Sequence, residues 1–188
     1  MNNKAKFNKY ADMLRDWQTR MNLVARGTLD DIETRHFADS AQLADILPTN
    51  VRIVDLGSGA GFPSAVLAIM GWDVTAIESI GKKASFLSAL KTELNLPNFT
   101  VYHGRVEDYV KKIKRNDLSV VFTARAFASL TKILDYVGRT KSRLFLLKGR
   151  EVESEIADAQ TKYKFDYQLI PSKTGDGYIL IVENIQKK

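Results

Sequence analysis

From Val51 onward, short apolar runs alternate with stretches in which apolar residues recur at helical spacing. The apolar runs predict seven strands, at 51–55, 73–78, 99–103, 118–123, 142–148, 164–170 and 177–184. Five helical patterns separate the first six strands, at 62–70, 81–95, 106–115, 129–138 and 151–162. Strands that alternate with helices predict an α/β fold, in which a mostly parallel sheet is covered by helices on both faces.

The last two predicted strands are joined by "PSKTGDG" (171–177), which is too short to contain a crossover helix. They are therefore expected to form an antiparallel hairpin at the edge of a seven-stranded, mostly parallel sheet. Open sheets of this kind bind ligands at the carboxyl ends of their strands, where the strand order reverses, and the turn at 56–62 is expected there. A terminal antiparallel hairpin is typical of Rossmann-like methyltransferases. This similarity of fold supports an inference about the cofactor more than one about the reaction.

Residues 1–48 carry helical patterns only. Apolar residues recur every three or four positions and predict one long helix, through Phe7, Tyr10, Leu14, Trp17, Met21 and Val24. A second helix is expected to begin after Thr28, whose spacing to Asp31 resembles a capping box, and to end at Pro48. We expect both helices to pack on a core formed by residues 49–188, because 188 residues suit one globular unit.

Composition excludes several classes of protein. The chain has no cysteine, which excludes disulfides, thiolate metal sites and cysteine nucleophiles, and its two histidines, His36 and His103, predict no metal site. No apolar run approaches the roughly 20 residues that span a bilayer, and the first residues lack the apolar core of a signal peptide. We therefore expect a cytoplasmic protein that does not contact membranes. The net charge of +6 suits a polyanionic partner, although it can also serve solubility alone.

The first predicted strand runs into the glycine-rich stretch "VDLGSGAGFP" (54–63). The dinucleotide fingerprint has glycines spaced G-x-G-x-x-G, whereas this turn has Gly57, Gly59 and Gly61, with Phe62 where the third glycine would stand. Glycine at 57 and 59 permits a tight turn and close approach of a ligand to the backbone. Amides at the start of the following helix are expected to stay free to donate to a carboxylate or a phosphate.

Two carboxylates accompany this turn. Glu78 ends the second predicted strand, where it can accept hydrogen bonds from both hydroxyls of a ribose, in NAD or in S-adenosylmethionine. Asp55 distinguishes these two cofactors, because a carboxylate is unfavourable beside a pyrophosphate and favourable near a sulfonium and an ammonium group. The residues therefore favour S-adenosylmethionine. A nicotinamide oxidoreductase, a non-catalytic RNA-binding module and a strand-to-helix turn without a ligand remain as alternatives.

Further motifs occur in a fixed order along the chain: "RHFADS" (35–40), "DLGSGAGFPS" (55–64), "ESIGKKASFL" (78–87), "GRVED" (104–108), "ARAFASL" (124–130) and "LKG" (147–149). In order and spacing they resemble the bacterial small-subunit ribosomal RNA guanine-N7 methyltransferases, also called the glucose-inhibited division protein B family. The resemblance runs from about Trp17 to the end of the chain. The sequence departs from the family at Gln18, Val24, Ser64 and Ala124, and Ala124 lacks a hydroxyl beside Arg125.

The resemblance implies an enzyme that transfers a methyl group from S-adenosylmethionine to N7 of a guanine in 16S ribosomal RNA. It implies ribosomal RNA or the small ribosomal subunit as partner, and we expect a monomer. In this family the cofactor lies against residues that match Gly57, Phe62, Val106, Glu107 and Arg125. Together with the residues of the turn and its carboxylates, the predicted cofactor set is Asp55, Gly57, Gly59, Gly61, Phe62, Glu78, Val106, Glu107 and Arg125.

The implied chemistry limits which catalytic groups are needed. Guanine N7 carries a free lone pair at neutral pH, so no residue is predicted to act as a general base. Basic residues at strand ends and in the second helix are expected to position the RNA, namely Arg125, Lys148, Arg35 and His36. Arg35 and Asp39 are also expected to pair at i, i+4, and "RHFADS" is expected chiefly to brace the amino-terminal helices over the cofactor cleft.

Overall fold

The structure is a computed structural model that describes residues 1–188, except for the side chain of Arg26. Seven strands form one sheet in the order β3-β2-β1-β4-β5-β7-β6. Strands β1 to β5 are parallel, and β7 runs antiparallel to both β5 and β6. The predicted sheet and its terminal hairpin are confirmed. The strands are Arg52–Leu56, Asp73–Glu78, Phe99–His103, Val120–Arg125, Leu144–Lys148, Tyr163–Pro171 and Tyr178–Lys187.

Helices cover both faces of the sheet. They are α1 Asn3–Gln18, α2 Asp39–Ala41, α3 Ser64–Ile69, α4 Gly81–Glu93, α5 Val106–Val110, α6 Leu130–Val137 and α7 Val152–Gln160. Helices α1, α3 and α4 contribute to one half of the core, and α5, α6 and α7 to the other. Side chains alternate across a strand, so neighbouring residues of β1 enter opposite halves, Ile53 the first and Val54 the second. No helix in the described part of the chain is long and apolar enough to cross a membrane.

The strand order reverses beside β1, which pairs with β2 on one side and with β4 on the other. The chain therefore leaves the carboxyl ends of β1 and β4 in opposite directions, and a crevice opens between the two exits. The glycine-rich turn follows β1, and Arg125 ends β4, so both lie at this crevice. The fold thus brings the glycine-rich turn and the motif that contains Arg125 to one edge of the sheet.

Helix α1 ends at Gln18, so the prediction that it continues to Val24 is wrong. The Gln18 side chain accepts from the amides of Leu23 and Val24 at 2.9 and 3.1 Å, and it donates to the Val24 carbonyl at 2.9 Å. These bonds give the backbone partners outside a helix. Met21 and Val24 still pack against the first half of the core, which explains why the apolar spacing continues beyond the helix.

The second amino-terminal helix is irregular and begins later than predicted. It comprises a π-helix at Glu33–Ala38, then α2, and then a 3-10 helix at Gln42–Asp45. We call residues 33–45 the brace segment. The cap predicted at Thr28 is wrong, because Thr28 ends a separate 3-10 turn at Arg26–Thr28 and the helix begins at Glu33 without a side-chain cap. The division of the chain into 1–48 and 49–188 stays a prediction. Tyr10 and Leu14 of α1 are fully buried in the core that α3 and α4 share.

Candidate active site

The glycine-rich turn is held by its own amides. Gly57, Gly59 and Gly61 all have positive φ, at 66°, 57° and 91°. The amides of Ser58, Gly59 and Gly61 donate to the Ile77 carbonyl, the Glu78 carboxylate and the Ser58 carbonyl at 2.9, 2.9 and 2.7 Å. The Ala65 amide, at the start of α3, donates to Gly61. The expectation of free amides at the start of the helix is wrong for Ala65, and the amides of Ser58, Gly59 and Gly61 are likewise not offered to a pyrophosphate.

Glu78 connects the end of β2 to the glycine-rich turn. Its side chain is 5% exposed, with one carboxylate oxygen accepting from the Gly59 amide at 2.9 Å and the other from the Ile80 amide at 2.7 Å. A carboxylate oxygen can accept two hydrogen bonds, so each retains a lone pair for a further donor. The orientation of Glu78 is therefore fixed before any ligand binds. This geometry suits the predicted ribose contact, which stays a prediction.

Asp55 lies beneath the turn and is fully buried. The Thr123 hydroxyl donates to its Oδ1 at 2.8 Å, and its Oδ2 has no hydrogen-bond partner among the described groups. Burial raises the pKa of Asp55, while the hydroxyls of Ser58, Thr123 and Ser64 and the Arg125 guanidinium oppose that rise. Without exposed surface, Asp55 acts on the crevice through its field. Its predicted contact with a cofactor stays a prediction.

Phe62 closes the turn as the centre of an aromatic stack. Its ring is stacked on Tyr10 on one side, with centroids 5.3 Å apart, and on His36 on the other, at 4.7 Å. The residue is only 5% exposed. Most of the predicted apolar wall at the turn is therefore covered by α1 and the brace segment.

Tyr10 is the functional candidate that the sequence analysis missed. Its hydroxyl donates to the Ala60 carbonyl at 2.5 Å, and a Cβ on Gly61 would lie 2.6 Å from the same hydroxyl. Burial raises the pKa of Tyr10 well above its ordinary value, so the hydroxyl stays a donor. Gly61 thus faces α1 on the buried side of the turn. In the sequence, Tyr10 is one member of an apolar stripe, and no local pattern marks its hydroxyl.

Arg125 joins the end of β4 to the brace segment. Its guanidinium donates to Asp39 Oδ2 at 2.9 Å, to the Arg35 carbonyl at 3.1 Å and to His36 Nδ1, and it lies 5.0 Å from the centre of the Phe62 ring. Among the described side chains, Asp39 pairs with Arg125 and not with Arg35, so the expected i, i+4 pair is wrong. The π-helix at 33–38 is the reason, because residues four apart no longer stack when hydrogen bonds run from i to i+5.

His36 is buried and neutral. Arginine can only donate, so the bond from Arg125 makes Nδ1 an acceptor, and Nε2 then donates to the Thr28 hydroxyl at 2.8 Å. Burial and then the Arg125 guanidinium lower the pKa of His36 from 6.5 to about 4. His36 therefore orients Arg125, and its predicted role toward RNA stays a prediction. Within the described residues, neither histidine belongs to a group of three or more side chains that could hold a metal ion.

This assignment predicts a pH effect on stability. Since the native pKa of His36 lies below the unfolded value, the unfolded chain binds the proton first, and the unfolding free energy falls as the pH drops below about 6.5. Between about pH 7.5 and about pH 5.5 the wild type should lose about 1 kcal/mol more than His36→Gln, which keeps an acceptor and a donor without titrating. Urea unfolding at the two pH values measures this. Equal losses in the two proteins would show that His36 titrates as in the unfolded chain.

Asp39 holds three parts of the chain together. Besides Arg125, it accepts from the Gln42 amide and from the hydroxyl of Thr174 in the β6–β7 loop, both at 3.0 Å. We expect Asp39→Ala to lower the unfolding free energy by about 2 kcal/mol, because it leaves a half-buried guanidinium without its anion. Binding of S-adenosylmethionine should weaken much less.

Asp45→Ala is the matched control, since Asp45 in the same segment pairs with Lys173 across two exposed side chains. Asp45→Ala should lower the unfolding free energy by no more than about 0.5 kcal/mol. Thermal unfolding and calorimetric titration of both variants make the comparison. A normal melting temperature together with abolished cofactor binding in Asp39→Ala would contradict the bracing role.

Lys148, at the end of β5, is turned toward the protein. Its ammonium donates to the Ala128 carbonyl at 2.9 Å and to Glu155 at 2.7 Å, and its side chain is 8% exposed. The same Glu155 oxygen accepts from the Leu130 amide at 2.7 Å. Lys148 therefore holds the loop 126–129, and a contact with RNA would have to compete with these bonds. Its predicted substrate role stays a prediction.

A cavity of about 1050 Å³ opens beside the turn, between the brace segment, the carboxyl ends of β4 and β5, and the β6–β7 loop. Four basic residues line it, Arg35, Arg125, Lys148 and Arg150, together with three acidic ones, Asp39, Glu155 and Asp176. The cavity thus brings together all four residues predicted to position RNA, namely Arg35, His36, Arg125 and Lys148.

The sheet order places the predicted cofactor residues Glu78, Val106 and Glu107 on the β2–β3 side of the glycine-rich turn, away from β4 and β5. Of the nine predicted cofactor residues, only Arg125 is among the described residues that line the cavity. Val106 is buried at the start of α5, and Glu107 beside it is exposed. Ile80 is 52% exposed although it is apolar, and its amide donates to Glu78. The crevice therefore has two sides, with Glu78 on one and the basic cavity on the other.

Comparisons with known proteins identify the family of this chain. Residues 3–175 match the family described as rRNA small subunit methyltransferase G, or GidB. The ribosomal RNA small subunit methyltransferase G of Bradyrhizobium diazoefficiens is 37% identical to this chain, over 98% of this chain and 73% of that protein. The protein of the same name from Hyphomonas neptunium is 38% identical, over 97% of this chain and 88% of that protein.

Solved structures show the same fold at much lower sequence identity. The crystal structure of an S-adenosylmethionine-dependent methyltransferase from Aquifex aeolicus superposes with a TM-score of 0.60 at 14% identity. The superposition covers 81% of this chain and 93% of that one. The resemblance that the motifs suggested is confirmed over nearly the whole chain, and the protein belongs to the rRNA small subunit methyltransferase G family.

Proposed function

We propose that this protein transfers a methyl group from S-adenosylmethionine to N7 of a guanine in 16S ribosomal RNA. The observation that carries the proposal is the contact of Gly57, on the turn, with Phe127, which lines the basic cavity. A donor site and an acceptor site are thereby adjacent. Family membership supports the reaction, and the acceptor atom follows from the resemblance of the motifs.

The residues on the Glu78 side fit S-adenosylmethionine. Three amides of the turn are satisfied within the protein, which suits a cofactor without phosphates, and Asp55 beneath them favours a positive charge. Glu78 would hold the ribose hydroxyls, and the exposed Ile80 would pack against the adenine. We propose that Glu107 accepts from the adenine amino group beside Val106. When bound, the cofactor supplies a methyl group activated by a sulfonium.

No residue needs to remove a proton, because guanine N7 has its lone pair available. The site agrees with this requirement, since the histidine in it is neutral and both its nitrogens are engaged by Arg125 and Thr28. Catalysis then depends on positioning, which can contribute roughly 7–11 kcal/mol. The ion pairs that fix Arg125 and Lys148 serve this purpose by keeping the cavity wall rigid.

The cavity side suits RNA. Arg35 and Arg150 are exposed at its rim, where they can meet phosphates, and Arg150 forms an exposed ion pair with Asp176. Arg125 and Lys148 lie deeper, also in ion pairs. In A-form RNA the groove that carries N7 is deep and narrow, so the target guanine is expected in an unpaired or distorted region. We propose that the enzyme acts in the cytoplasm as a monomer.

Labelled methyl transfer tests the function. The protein is incubated with methyl-labelled S-adenosylmethionine and naked 16S ribosomal RNA, isolated small subunits or whole ribosomes, and N7-methylguanosine is mapped in the product. Label at one guanine of at least one substrate is expected. Calorimetry should show binding of S-adenosylmethionine and none of NADH. Binding of NADH, or no transfer to any of the three substrates, would contradict the proposal.

A further inference from the structure

Phe127 lies at the boundary between the two sides of the crevice. A Cβ built on Gly57 would overlap the Phe127 ring, so the ring rests directly on the glycine backbone. The same residue is half-buried and lines the cavity. A methyl group that passes from the turn to a base in the cavity must therefore pass close to this ring.

The loop that carries Phe127 is fixed at both ends. Arg125 precedes it and is bound to Asp39 and His36 of the brace segment. After it, the Ala128 carbonyl accepts from Lys148, and the Leu130 amide donates to Glu155. Side chains of β5 and α7 and of the amino-terminal region thus converge on a short loop.

The backbone inside this loop is strained. Ala126 has a φ of 50°, in the left-handed region that non-glycine residues seldom occupy. Such a conformation costs of order 1–3 kcal/mol and persists only where the surroundings over-determine it, often beside a functional site. Ala126 is itself exposed, so burial of its own side chain does not compensate this cost. What the strained residue does is place the next side chain, Phe127, against Gly57.

We propose that Phe127 is a positioning residue whose ring receives the acceptor guanine by stacking, and so holds N7 beside the methyl donor. The inference rests on the proposed function. Bases stack on aromatic rings in single-stranded RNA sites, at about 1–3 kcal/mol per base. Phe127 is the one phenylalanine among the described residues that line the cavity, and its ring rests on the backbone of Gly57 in the turn. The rim arginines then hold the flanking phosphates.

The first test compares Phe127→Leu with Phe127→Tyr. Leucine keeps apolar bulk and removes the ring, so kcat/KM for the RNA should fall about 10-fold to 100-fold, whereas tyrosine should retain most of it. The Kd of S-adenosylmethionine should change by less than about twofold in both variants, since the ring serves the acceptor. Phe165→Leu is the control, a buried phenylalanine on β6 that should lower the melting temperature without changing transfer per folded enzyme.

The outcomes separate this inference from the proposed function. If the wild type transfers no methyl group, the function itself fails. If the wild type is active and Phe127→Leu equals it, the stacking role is overturned. Tighter cofactor binding by Phe127→Leu, with unchanged transfer, would also overturn it, since the ring would then be a plug in the donor site.

A second measurement needs no substitution and therefore does not depend on how a variant folds. Saturation transfer from aromatic protons of the wild type to H8 of guanosine 5′-monophosphate is compared with protein made with ring-deuterated phenylalanine. Because Phe127 is the phenylalanine in the described cavity wall, deuteration should lower the transfer, and protons of Tyr178 in the same wall account for what remains. Unchanged transfer, or none in the wild type, would contradict a guanine on this ring.

Discussion

Replacing Gly57 with alanine is expected to lower the unfolding free energy by about 2–4 kcal/mol and methyl transfer by at least about 100-fold. Two effects add. At a φ of 66° a Cβ strains the backbone, and here it would also overlap the ring of Phe127, whose loop is fixed at both ends and cannot withdraw freely. Urea unfolding and labelled methyl transfer measure the two losses.

Gly59→Ala is the matched control for this prediction. Gly59 also has positive φ, at 57°, but a Cβ there would have only the Gly57 carbonyl nearby, at 3.8 Å. Its cost in stability should therefore be the backbone part alone, about 1–2 kcal/mol. Adding Phe127→Ala to Gly57→Ala should recover part of the loss relative to the sum of the single variants. Strict additivity would show that the ring is not the obstacle.

Replacing Glu78 with glutamine is expected to weaken S-adenosylmethionine binding about 10-fold to 100-fold. Both carboxylate oxygens accept backbone amides, from Gly59 and Ile80, so the amide group of glutamine must point an N–H at another N–H. A buried donor left without an acceptor costs about 1–3 kcal/mol, and the turn loses its anchor on β2 as well. The unfolding free energy should also fall by about 1–3 kcal/mol.

Glu107→Gln is the control here, since Glu107 is exposed and a glutamine oxygen still accepts from an amino group. Stability should stay within about 0.5 kcal/mol of the wild type, and the Kd of the cofactor should rise by less than about threefold. Calorimetric titration and thermal unfolding of the two variants decide the matter. If Glu78→Gln binds S-adenosylmethionine with wild-type affinity and melts at the wild-type temperature, Glu78 does not belong to the cofactor site.

Much of the fold could be predicted because its signals are local. Strand and helix periods predicted the order of elements from Val51 onward, and the short "PSKTGDG" link predicted the antiparallel hairpin. The larger errors in the helices fall in the first 48 residues. There the apolar spacing continues past Gln18, but the side chain of Gln18 binds the backbone and ends the helix, a competition that apolar periodicity does not report.

The candidate site was predictable in part. Its position at the crevice, the two carboxylates and the basic strand ends all follow from motifs that end or directly follow predicted strands. The partners of those side chains were not predictable. Arg35 and Asp39 have the spacing of a helical ion pair, yet Asp39 binds Arg125, 86 residues away. The reason is that the helix that joins Arg35 to Asp39 is a π-helix, in which residues four apart do not stack.

By itself, the sequence determined the class of fold, the edge of the sheet that binds ligands and the family, since these depend on periodicity and on motifs within short stretches. Only the tertiary structure decided that Tyr10 supports the glycine turn, that Lys148 and Glu155 hold the loop after β4, and that Phe127 rests on Gly57. The reason is physical. A hydrogen bond or a ring contact depends on distance in space, and residues distant in sequence meet only once the sheet and its helices have packed.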